Sequence, residues 1–121
     1  KMLYPTLDYG SRTGGTLWHG WIKPRRWNNG DDVDVTHARW LSWNSRRAVA
    51  RVRVDVPGSH GRGRVTLSDP GYCRAAHTFG YLRETDRGGP WGRGGTIDLR
   101  EQCESPGPTG RVAAWEIVRQ W

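Results

Sequence analysis

The sequence predicts an all-β protein, an antiparallel β-sandwich or barrel of about seven short strands held by one disulfide. Three observations carry this prediction. Ala48, Ala50, Val52, Val54 and Val56 fall on one parity and Arg47, Arg51, Arg53 and Asp55 on the other, the pattern of a half-buried strand. With Gly at 17 and Pro at 7 in 121 residues, turns recur at short intervals. Cys73 and Cys103 are an even pair outside any CxxC or nucleophile-like context, which reads as a disulfide, with two buried thiols as the alternative.

A chain of this length is read as a single domain over residues 1–121, burying roughly two thirds of its unfolded surface. Only 35% of its residues are apolar, but eight are Trp, and each Trp can bury about 150–250 Å². A few large rings therefore stand in for many aliphatic side chains.

In chain order, residues 1–12 are predicted to be an N-terminal arm that is mobile or ordered by a partner. Strands are predicted over Thr16 to Ile22, Val33 to Trp43 and Ala48 to Val56. Pro57 and Gly58 end the last of these. "GSHGRG" then supplies a glycine-punctuated turn into "RVTLSD", where Val65 and Leu67 share a face, so the pair reads as a hairpin. His77 to Glu84, Gly95 to Leu99 and Arg111 to Arg119 complete the set, with "SDPGY", "TDRGGPWGRGG" and "ESPGPTG" as turn-rich separators. The last segment lacks a clean helical stripe and is read as a strand. The loop from Arg87 to Gly95 is predicted to be mobile or partner-ordered. Residues three apart on an extended strand point to opposite faces, so Trp40 and Trp43 make one platform only if a bulge intervenes. The simpler expectation makes one a core anchor and the other a rim residue.

"RWLSWNSRRAVARVRV", "RVTLSDPGYC" and "HTFGYL" together resemble a group of small secreted actinobacterial β proteins. These carry a W-x-x-W, an alternating strand with small residues and a V-T-L-S-x-P strand followed by a Cys and an aromatic strand. The matching positions are Trp40, Trp43, Ala48, Ala50, Val65, Thr66, Leu67, Ser68, Pro70, Cys73 and Tyr81, within about residues 39–84. The chain has "PGSHGRG" where such proteins often hold a further Cys pair. The resemblance implies a β fold and secretion, and no particular activity. The opening "KMLYPTLDYG" agrees, reading as a mature chain whose signal peptide has been removed, and no transmembrane segment is predicted.

The formal charge of +7 favours encounters with polyanions or acidic proteins. Only Lys1 and Lys23 are lysines; the Arg bias suits bidentate recognition of carboxylate or phosphate, and a GC-rich genome would produce it too. "WHGWIKPRRW" interleaves Trp18, Trp21 and Trp27 with Lys23, Arg25 and Arg26, a composition that stacks on rings or bases. "RGGPWGRGG" places Trp91 between Arg87 and Arg93, either as an exposed anchor or folded back on the core. Asp31, Asp32 and Asp34 are hard oxygen donors, but the segment lacks the spacing of a complete calcium loop and reads as a polar turn; no metal or cofactor is predicted. His19, His37, His60 and His77 raise acid–base chemistry, with His77 and Glu84 on one strand but on opposite parities, and no paired-carboxylate signature is present. The functional expectation is a non-enzymatic secreted binding module. Its basic, Trp-rich surface would engage a protein partner in an extracellular or cell-envelope assembly. The alternatives are a glycan- or polyanion-binding module and a small basic hydrolase such as a nuclease.

Overall fold

Among the residues described by the computed structural model, nine strands and one short α-helix form. These residues are 2–8, 17–28, 32–74, 77–104 and 116–119, with the backbone alone described at 6–8, 17–19, 104 and 116–119. The strands are β1 (Tyr4–Asp8), β2 (Leu17–Ile22), β3 (Trp27–Asn28), β4 (Asp34–Trp43), β5 (Ala48–Val56), β6 (Ser59–Cys73), β7 (Thr78–Arg87), β8 (Gly95–Asp98) and β9 (Glu116–Arg119), and α1 is Arg100–Glu104. Strands β3 to β8 pair in chain order as one antiparallel sheet, curled into a half-barrel. A second sheet holds β2 between β1, antiparallel to it, and β9, parallel to it. The all-β class holds, and the parallel β2–β9 pair is its one departure from antiparallel pairing among the described strands. A parallel pair needs a long connection, which the chain between residues 22 and 116 provides.

The inner face of the large sheet follows from alternation. Ala48, Ala50, Val52 and Val54 on β5 and Val65 and Leu67 on β6 are buried there. Tyr4 and Trp21, direct partners in the small sheet, belong to the same core, so the small sheet packs across this face. Register shifts on β4 fall between Thr36 and Arg39 and between Trp40 and Ser42. His37 takes φ 53 at the first, the left-handed conformation that such irregularities use. The second turns both Trp40 and Trp43 inward, correcting the expectation of one anchor and one rim residue. Trp40 pairs with Ala50 and Trp43 with Ala48, so the small residues of β5 leave room for the rings beside them. The result is a continuous aromatic chain. Tyr4 meets Trp27 edge-on at 5.3 Å, Trp27 stacks on Trp40 at 6.1 Å, Trp40 meets Trp43 at 4.7 Å and Trp43 meets Tyr81 at 5.3 Å. The Tyr81 hydroxyl donates to the Asn44 carbonyl, and burial pushes its phenol up to about 12 against the lowering effect of that bond.

Four local expectations change. Residues 2–8 are not a free arm: Leu3 and Tyr4 are buried, and Leu3 exchanges backbone hydrogen bonds with Phe79 and Tyr81. The β5–β6 turn is Pro57–Gly58 alone, with Gly58 at φ 79 and Val56 paired to Ser59, so "SHGRG" is strand. Strand β6 also runs through "SDPGY", accommodating Pro70 beyond an irregularity at Asp69, φ 57. Residues 87–95 fold as a 3-10 turn, Gly89–Trp91, tied by Gly88 to Gly92 and Gly94 to Trp91 backbone bonds. The predicted disulfide joins Cys73 at the end of β6 to Cys103 on α1, and Leu82 packs against it.

Candidate anion-binding face

Because directly opposed residues of an antiparallel sheet share a face, the register maps the outer surface row by row. Arg39 pairs with Arg51, Arg51 with Arg64 and Arg64 with Arg87, which places four arginines in one line across β4 to β7. All four are exposed. Two residues along the strands, Thr36, Arg53 and Arg62 make a second row, also facing outward. On the other side lies a row of Ser42, Val49, Thr66, Thr85 and Thr96, with the Thr85 and Thr96 hydroxyls 3.4 Å apart. Neighbouring strands are about 4.8 Å apart, so the four guanidinium groups span roughly 14 Å.

Arg53 is neutralised by Asp55, with both guanidinium contacts at 3.1 to 3.2 Å. Among the described residues, Arg39, Arg51, Arg62, Arg64 and Arg87 have no ion pair. Like charges set directly opposite each other on a sheet are destabilising, by about 0.2–1 kcal/mol per pair. Acids further along the sheet are engaged with Arg100: Asp69 holds it at 2.6 Å, and the backbone N–H of Arg100 holds the Asp98 carboxyl below the usual carboxylate range.

The residues singled out in the sequence are distributed differently. Trp21 and Trp27 are core residues, 7% and 6% exposed, which removes them from any binding surface. Both pack in one core with Tyr4, Tyr81 and the aliphatic side chains of β4, β5 and β6. The side chain of Trp18 lies outside the described residues. Arg25 and Arg26 are exposed on the connection between β2 and β3, whose backbone docks on β4 through the Trp40 indole donating to the Pro24 carbonyl at 2.8 Å. Trp91 turns inward over Gly63, where a Cβ would lie 2.9 Å from its ring. Of the two alternatives for Trp91, folding back on the core is the one found, and it separates the ring from Arg87, which faces outward. Arg93 is exposed on the same turn. Of the predicted contacts, Arg87 alone joins the arginine row; Arg39, Arg51 and Arg64 are additions.

Among the described residues the histidine side chains lie apart, on β4, β6 and ahead of β7. His37, His60 and His77 are exposed, and the His19 side chain lies outside the described residues. Glu84 is buried on the inner face while His77 precedes β7 in solvent, so that pair is not assembled. A carboxylate pair that the sequence reading missed does exist. Glu84 and Asp86, two apart on β7, share the inner face with Leu67 and Val65. Burial, followed by the charge and hydrogen bond of Glu84, holds the Asp86 carboxyl far above its ordinary range. The Tyr4 hydroxyl donates to Glu84. At 1% and 5% exposure both acids are buried in the core, Glu84 bound to Tyr4 of the small sheet, an arrangement that suits a polar joint in the core.

Asp31 lies outside the described residues; Asp32 and Asp34 are exposed. Among the described residues no group of three His, Cys, Asp or Glu side chains could hold a metal ion, and no helix is long and apolar enough to cross a membrane. No protein-family model, curated protein or solved structure matches the chain.

Proposed function

We propose that the protein is a non-enzymatic binding module that takes up an acidic polymer on the outer face of its six-stranded sheet. The observation that carries this reading is the Arg39–Arg51–Arg64–Arg87 row, four guanidinium groups in register without ion-pair partners among the described residues. Planar guanidinium forks match carboxylate, sulfate and phosphate oxygens. The net charge of +7 adds long-range attraction. Burial of Trp21 and Trp27 weighs for this form of binding over a Trp-anchored protein interface. The Cys73–Cys103 disulfide supports action outside the reducing cytosol, in keeping with a secreted protein.

The test is titration of labelled heparin, polyuronate and single-stranded DNA at several salt concentrations. Four contacts predict that log K falls with log salt with a slope of roughly −3 to −4, and that Arg51→Gln/Arg64→Gln halves this slope. Failure of every acidic polymer to bind, or binding indifferent to the double variant, overturns the proposal.

A further inference from the structure

We infer that the arginine row and the hydroxyl rail beside it form a track for an extended acidic polysaccharide, lying across the strands. This rests on the polyanion reading above and names the class of polymer. Three features of the outer face select it.

The first is spacing. In an extended β-1,4-linked uronate chain successive carboxylates alternate sides, so every second one faces the sheet, two sugar lengths from the next. Two strand intervals, about 10 Å, match that distance. One carboxylate then sits between Arg39 and Arg51 and the next between Arg64 and Arg87, each relieving the repulsion of a like-charged pair.

The second is the neighbouring row. Thr66, Thr85 and Thr96 set three hydroxyls in register about 7 Å from the guanidinium line, on the side of the track where ring hydroxyls of a sugar chain would lie. Hydroxyls both donate and accept, as sugar hydroxyls do.

The third is the lack of aromatic residues in these three rows. The tryptophans of this sheet's core, Trp27, Trp40 and Trp43, face its other side. Proteins that bind single strands of nucleic acid stack bases on aromatic side chains, and none of the residues at these outer-row positions is aromatic. Within these three rows a globular protein partner would find one apolar side chain, Val49; the exposed Leu41, Ile97, Tyr72 and Phe79 all lie outside them.

The experiment is calorimetric titration of β-1,4-linked oligoglucuronates of increasing length, beside a neutral β-1,4-linked glucose hexamer and oligo-dT. Affinity should climb until the oligomer covers the track, at about three to four sugars, and then level off, while the neutral hexamer does not bind. Arg51→Gln/Arg64→Gln should weaken the longest oligouronate roughly 10- to 100-fold, from the loss of two charge-assisted contacts. Thr66→Val/Thr85→Val, which keeps shape and β propensity, should weaken oligouronate several-fold and leave oligo-dT unchanged. Near-UV circular dichroism checks that each variant is folded. If oligo-dT binds as tightly as oligouronate and the threonine variant changes neither, the polysaccharide track falls and the polyanion reading stands. If no acidic polymer binds, both fall.

Discussion

The two faces of the six-stranded sheet are made by alternate residues of the same strands, yet they follow opposite rules. On the inner face Ala48 and Ala50 sit opposite Trp43 and Trp40, and Trp27, Trp40, Trp43 and Tyr81 meet ring to ring. On the outer face Arg51 sits opposite Arg39 and Arg64, and Arg64 sits opposite Arg87. Close packing explains the first face through folding alone. The second works against folding at four successive strands, and the proposed binding of an acidic polymer rests on that unrelieved repulsion.

This contrast breaks most easily from the inside. Trp27→Ala removes a ring held between Tyr4 and Trp40 and should cost about 3–5 kcal/mol in urea unfolding. Replacing both Cys73 and Cys103 by Ser opens a loop with a sequence separation of 30 and should cost about 2–4 kcal/mol, read as a lower Tm that matches the reduced wild type. Gly63→Ala drives a methyl against the Trp91 ring and the Arg87 carbonyl, for about 1–3 kcal/mol and a change in Trp fluorescence.

The buried acids sharpen the comparison through pH. Asp86 has a folded pKa raised above its ordinary 3.8, so above that pH the native state holds a proton that the unfolded chain releases. Stability is therefore full below the unfolded value and declines as pH rises through the folded one. Urea midpoints should fall between about pH 4 and pH 8, and Asp86→Asn should flatten that decline. An unchanged slope in the variant would assign the pH dependence elsewhere.

Much of the inner face was legible in the sequence, because β5 alternates so regularly that Ala48 to Val54 could be assigned to the core by parity. The class and the disulfide followed from the same kind of local signal. The arginine row was half legible. Its β5 member, Arg51, is visible by parity, but pairing it with Arg64 requires the turn at Pro57–Gly58, and extending the turn through "GSHGRG" conceals the register. The glycines of that segment look like turn residues, whereas Gly61 and Gly63 are strand positions kept small by Pro90 and Trp91 above them. Glu84 and Asp86 were hidden for another reason. In "RETDR" both parities are polar, so no pattern states which side faces the core, and the tertiary cover of Tyr4 decides it. Trp21 and Trp27 show the limit most plainly: a Trp beside arginines has the same local sequence whether it serves the core or a ligand.

The smallest expected stability effect bears on the central claim most directly. Arg51→Thr/Arg64→Thr should be measured for urea unfolding and for acidic-polymer binding on the same preparation. The account predicts that stability holds or rises by a few tenths to about 1 kcal/mol as the opposed charges go, while binding drops at least tenfold. Loss of stability with binding intact would mean that the row serves the fold, and the functional reading of the outer face would be wrong.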